Sequence, residues 1–215
     1  MSAGPIDISM PLTDGIPLWP GSPGASMRLL KSLAEGDPAD TTELTVEVHT
    51  GTHLDAPSHT LPGAPTMSDY GLDVGIGAAL VVDTGDAAEL DADVFEALAV
   101  PAGTERLLLK TRNSRTEPPL HSQPFEQDYA ALTVSGSEWI VANGIRLIGI
   151  DYLSIQRFEA PLETHHVLLR AGVAILEGLQ LDRVEPGRWE LICLPLSLPG
   201  REAAPARAVL REVAN

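Results

Sequence analysis

The sequence predicts an α/β fold with a central mixed sheet, and three observations carry that expectation. Five short apolar runs of strand length, at 79–83, 106–110, 146–151, 173–177 and 191–194, are each bounded by Gly, Asp or Pro. Helix candidates lie between some of them, at 93–98, 137–143 and 164–171. A further segment, 44–49, alternates apolar Leu44, Val46 and Val48 with polar Thr45, Glu47 and His49. That is the period of two expected of a half-buried strand.

In chain order, the first 27 residues are rich in turn formers and read as an extended arm. The 44–49 strand then delivers His49 at its end, on the polar face, and Gly51 lets the chain turn sharply. The helix at 137–143 opens on Ser137 and stops before Gly144; that at 164–171 opens on Thr164 and stops before Gly172. The runs 146–151 and 173–177 finish on carboxylates, Asp151 and Glu177. A carboxylate at the mouth of a buried strand is costly unless it is hydrogen-bonded, paired or bound to a metal. With no repeat and no long linker, residues 1–215 read as one domain.

Composition narrows the function classes. A hydrophobic content of 44% suits a chain with a real core. Thirty acidic against 14 basic side chains give a formal charge of −16, which repels phosphate backbones and anionic lipid but suits divalent cations. Neither nucleic acid nor membrane is an expected partner. Cys193 is the only cysteine, so internal disulfides and multi-cysteine zinc sites are excluded. The N-terminal stretch has no basic region followed by an apolar one, and a cytoplasmic location is expected.

The chemistry concentrates in "HTGTHLDAPSH", residues 49–59, which holds three of the six histidines. His49 and His53 are four apart, but Gly51, the threonines and Pro57 argue against a helix and for a glycine-hinged loop. Asp55 follows two residues later, so imidazole and carboxylate donors converge as zinc or manganese requires. His59, beyond Pro57, is placed to sit beside a metal and carry a proton, which its near-neutral pKa suits.

Residues 49–59 resemble the H-x-G-T-H-x-D-x-P-x-H signature of the cyclase-like metal-dependent hydrolases, a family that includes bacterial kynurenine formamidase and isatin hydrolase. The resemblance extends to Pro17–Gly21, "LLLKTRNS" (107–114), "LIGIDYLSI" (147–155) and "HHVLLRAGVAILEGL" (165–179). It implies a swivelling β/β/α domain and a homodimer or homotetramer. It implies one or two divalent ions, zinc first and manganese second, with His49, His53 and Asp55 as ligands of the first. Asp55, His165 and Glu177 would hold the second. By position the resemblance makes His59 the general acid/base and Trp19 a residue lining the substrate pocket.

The implied activity is attack of metal-activated water on a small amide, arylformamidase-like, with N-formylkynurenine as the type substrate. Alternatives are hydrolysis of a cyclic imide or lactone, or metal binding without catalysis. His59 favours the enzyme, because a pure binding module has no use for a proton carrier. Trp19 and Tyr152 are the aromatic candidates for holding a substrate ring. Cys193 reads as core, and Ser58 lacks the G-x-S-x-G elbow of a serine hydrolase. His166 reads as solvent-facing, His121 as a surface residue, Trp139 as the buried face of its helix, and Asp151 as either a ligand-supporting or a plain turn residue.

Overall fold

The computed structural model describes residues 4–213; residues 1–3 of the expected arm and 214–215 lie outside them. In chain order the elements are β1 (Ile6–Asp7), β2 (Ala25–Lys31), β3 (Thr41–Val46), β4 (His53–Asp55), β5 (Ile76–Asp83), β6 (Glu89–Leu90), α1 (Ala92–Ala97) and β7 (Arg106–Lys110). Then come β8 (Ala131–Leu132), α2 (Val134–Ala142), β9 (Leu147–Ile150), α3 (Glu163–Arg170), β10 (Ala174–Glu177), β11 (Gly187–Pro195) and β12 (Ala203–Glu212).

Seven strands close into a ring in the order β12-β11-β5-β7-β9-β10-β4, with β4 returning to β12 and β1 adding to the far end of β12. The run β5-β7-β9-β10 is parallel and the remaining pairings are antiparallel, so the central sheet is mixed, as the sequence predicts. Both faces of the parallel strands are covered, which is why they read as continuous apolar runs without alternation. One face packs Leu108, Leu147, Leu176, Leu191 and Cys193 into an inner core. The other packs Leu107, Leu109, Ile148 and Ile175 against Phe95 of α1, Ile140 of α2, and Leu168 and Leu169 of α3.

The structure moves several expected boundaries. Helix α1 is capped by Asp91, whose carboxylate accepts from the Val94 amide at 3.0 Å. Helix α2 starts before Ser137: its cap is Thr133, which accepts from the Gly136 amide, while Ser137 donates back to the Val134 carbonyl inside the helix. Thr164 is buried inside α3, which has no side-chain cap. The expected half-buried strand at 44–49 is instead the largely exposed β3, paired with β2 in a separate two-stranded ribbon. It ends at Val46, and His49 lies on the turn that follows, closed by Thr50 N–H donating to the Glu47 carbonyl. Strand β12 carried no sequence signal: its alanines and Pro205 do not alternate, and tertiary pairing decides it.

Candidate metal centre and its cleft

The short strand β4 sets the geometry. Leu54 points into the inner core, so His53 and Asp55, one residue to either side, share the opposite face. Strand β10 pairs with β4 so that Glu177 lies opposite His53 and Ile175 opposite Asp55. On this outer face α3 supplies His165 from its first turn. His49 arrives from the preceding turn and His59 from the 3-10 turn over Pro57–His59. His49, His53, Asp55 and His59, expected on one loop, thus come from a turn, a strand and a 3-10 turn, while His165 and Glu177 come from a helix and a strand end as expected.

The donor atoms converge closely. Asp55 Oδ1 lies 3.0 Å from His49 Nδ1 and 3.5 Å from His53 Nε2. Glu177 Oε2 is 3.3 Å from His53 Nε2, and Oε1 is 3.5 Å from His165 Nε2. The second Asp55 oxygen is 4.0 Å from His165 Nε2. The His59 ring sits 4.2 Å from that of His49 and 5.7 Å from that of His165, centroid to centroid. All five expected ligands and the expected proton carrier are therefore gathered in one place. Two overlapping triplets, His49–Asp55–His59 and His53–Asp55–Glu177, have donor atoms close enough together to share an ion.

Three donors have no hydrogen-bond partner although they are fully buried: His53 Nε2 and both oxygens of Asp55. Orphaned polar atoms of this kind are costly in a protein interior unless a ligand meets them. The remaining atoms are tied back into the protein. His53 Nδ1–H donates to the Gly51 carbonyl at 2.9 Å, and His165 Nδ1–H donates to Gln156 Oε1 at 2.8 Å. Each bond turns the Nε2 lone pair towards the centre. Gln156 is held in turn by donating from Nε2 to the Ala160 carbonyl, and the Ile155 amide donates to Glu177 Oε1 at 2.7 Å. The donor set, imidazole with carboxylate, fits a divalent metal ion.

Charge follows from the same proximity. Burial opposes protonation of His53, yet its contacts with Glu177 and Asp55 prevail and raise it to about 9. His49 is raised in the same way, its burial outweighed by the close approach of the Asp55 carboxylate. Burial works against ionisation of Asp55 and Glu177, but the surrounding histidines hold both below the usual carboxylate range. His59 moves the other way: burial, with the charges of His49 and His165, lowers it and favours the neutral ring. The cluster balances its carboxylates with protons that a divalent cation would displace.

A cleft of about 520 Å³ opens onto the centre. His53, His165 and Glu177 lie at its buried floor, while Trp19 and Pro20 of the arm form its exposed rim. Trp19 packs edge-on against Phe125 and Phe158, with ring centroids 5.4 and 5.3 Å away. Tyr152 corrects the sequence reading. It is fully buried behind Phe125, its hydroxyl donating to the Glu126 carbonyl and accepting from the Glu126 amide, and it does not line the cleft. A residue just past a strand end can turn either way, and this one turns inward to satisfy its hydroxyl.

Other expectations resolve plainly. His121 is buried, not on the surface, with Nε2 3.1 Å from Asp182. Asp151 is a fully buried anchor that accepts from the Thr111 amide and hydroxyl and from Ser114. Cys193 is core, its thiol pushed up to about 12 by burial. Trp139 is half-buried, stacked on Phe95, and His166 faces Glu163 away from the centre. Gln156 and Glu47, which both line the cleft, were missed because neither belongs to a spacing motif. No helix among the described residues is long and apolar enough to cross a membrane.

The comparisons agree with this architecture. The "Cyclase" family model matches residues 6–157. A cyclase-like protein 1 from Arabidopsis thaliana is 39% identical over 214 residues, covering 95% of this chain and 83% of the relative. A kynurenine formamidase from Sphingopyxis alaskensis is 36% identical over 210 residues, covering 97% of this chain and 98% of the relative. A solved structure described as a potential metal-dependent hydrolase with cyclase activity superposes with a TM-score of 0.83 at 29% identity, covering 99% of each chain. With its closed mixed sheet, its donor cluster and these relatives, the chain belongs to the cyclase family.

Proposed function

We infer that this protein is a metal-dependent hydrolase of a small aryl amide, arylformamidase-like. The observation that carries the reading is the set of orphaned donors, His53 Nε2 and both Asp55 oxygens, buried beside His59 at the base of an aromatic-rimmed cleft. The kynurenine formamidase relative, aligned over nearly the whole of both chains, supports the amide as the bond cleaved. Zinc is the ion proposed, with manganese second. Two ions are favoured because one Asp55 oxygen faces His49 and His53 while the other faces His165.

When bound, such an ion polarises a carbonyl and lowers the pKa of water from 15.7 to about 7. The chain's own residues do the rest. Gly51 and Gln156 fix the ring orientations of His53 and His165. Trp19 and Leu162 at the rim, with Leu153 deeper in, exclude water and hold a flat apolar ring. His59, with its neutral form favoured, takes the proton from the attacking water. It returns that proton to the leaving nitrogen as the C–N bond breaks. No covalent enzyme intermediate is required.

The test is His59→Ala, measured for metal content and for turnover of an aryl formamide. Unchanged metal content with kcat reduced about 10²- to 10⁴-fold supports the role. Unchanged kcat contradicts it. Turnover of a cyclic imide or lactone, with none of any aryl formamide, would move the reading to that substrate class.

A further inference from the structure

The reading of the cleft as an aryl amide site leaves one lining residue unused. Glu47 sits on the arm side of the cleft, half-buried. Its Oε2 accepts from the Ser22 hydroxyl at 3.0 Å and the Thr50 hydroxyl at 3.3 Å; its Oε1 accepts from the His49 amide at 3.3 Å. Ser22 closes a turn with Trp19, donating its amide to the Trp19 carbonyl at 2.9 Å. Glu47 therefore stands one turn from the aromatic rim and two residues before the first ligand. Its three donors are all neutral, and no lysine, arginine or histidine pairs with it among the described residues. No ion pair among the described residues offsets this carboxylate at the cleft wall.

The rest of the lining sharpens the point. Among the described residues no lysine or arginine lines the cleft, and its other carboxylate, Glu177, belongs to the ligand cluster on the floor. The chain as a whole carries a formal charge of −16, so the surrounding field has the same sign as Glu47. Ser22 links Trp19 to Glu47, so a ring held at the Trp19 rim would have this wall within reach of its substituents.

We propose that Glu47 is a specificity-determining residue that selects aryl amides whose ring substituents carry a net positive charge or none and excludes those whose substituents are net anionic. The inference rests on the aryl amide reading for its substrates but not for its charge rule. Two unit charges a few ångströms apart near a protein surface interact strongly enough to change binding by at least about tenfold.

The experiment compares three formanilides substituted para with aminomethyl, methyl or sulfonate, the sulfonate being a poor metal ligand. It uses the metal-loaded full-length protein and reads kcat/KM. In parallel, calorimetry measures binding of the three corresponding anilines, which are the products of the proposed reaction and need no turnover. The aminomethyl and methyl compounds are expected to exceed the sulfonate by about tenfold or more in both series. Raising the salt from 0.05 to about 1 M is expected to shrink that ratio. Glu47→Gln is expected to collapse the ratio, whereas a merely structural clasp would lower all three compounds together.

Equal values for the three compounds, or preference for the sulfonate, would overturn the inference. If no formanilide is turned over but the anilines keep the charge order, the amide reading fails and the charge rule stands. Should Glu47→Gln fold poorly, Glu47→Asp, which keeps the charge, is expected to keep the ratio, and loss of the ratio there would overturn the inference.

Discussion

Glu177 and His53 are directly opposed partners across the β10–β4 pairing, with Glu177 Oε2 3.3 Å from His53 Nε2. The register of a three-residue strand thus builds half of the centre, since Asp55 follows on the same face. Glu177→Gln preserves shape and removes the charge. It is expected to weaken metal binding by at least about a hundredfold, because losing a ligand costs more than losing its support. Competition with a chelating dye measures this, and unaltered affinity would remove Glu177 from the ligand set.

The same pair makes the stability of the metal-free protein depend on pH. His53 is raised from its ordinary 6.5 to about 9 in the folded chain. Its stabilising contribution is therefore complete below pH 6.5 and is lost as pH rises through 9. His49, raised likewise, acts in the same direction. His59, lowered, acts below pH 6.5 and leaves this window alone, while Asp55 and Glu177 act in acid. Thermal melts of chelated protein are expected to show Tm falling between pH 6.5 and 9. The gap to metal-loaded protein should widen over that range, because protons compete with the ion. A Tm that rises over the same window would contradict the charge assignment.

Gln156 acts through His165 rather than on substrate or ion. Gln156→Ala frees the His165 ring to rotate and is expected to cost about 10- to 100-fold in metal affinity, while Gln156→Glu, which still accepts, recovers most of it. Equal affinity in the alanine variant would show that α3 alone orients His165.

Gly178 follows the proposed ligand Glu177 with φ +71°, and a Cβ there would lie 2.4 Å from the Gly51 carbonyl oxygen in the motif loop. Gly178→Ala is expected to destabilise the fold by at least about 2–3 kcal/mol, from backbone strain and a contact with main chain that cannot swing away. It should also weaken metal binding by shifting the loop between His49 and His53. Denaturant unfolding with a metal titration separates the two effects; a variant of native stability would mean the loop yields cheaply.

The five predicted strands were legible because apolar runs persist wherever both faces of a strand are covered. The candidate ligands in 49–59 were legible because four chemistry-bearing residues, His49, His53, Asp55 and His59, stand close in sequence, and His165 and Glu177 because the resemblance placed them. What sequence hid is tertiary. β12 closes the ring by pairing with β4 some 150 residues away, and nothing in its alanine-rich stretch announces it. Ligand-supporting and wall residues such as Gln156 and Glu47 act through single hydrogen bonds that carry no periodicity. Tyr152 and His121 were misplaced because an aromatic or imidazole ring near a turn is equally at home inside or out, and local hydrogen bonding decides.

The most direct measurement is elemental analysis of the purified protein combined with hydrolysis of N-formylkynurenine and formanilide, before chelation, after it, and after metal is restored. One or two equivalents of bound zinc or manganese are expected, with aryl formamide turnover that disappears with the chelator and returns with the ion. Absence of bound metal even after reconstitution, or turnover indifferent to chelation, would contradict it.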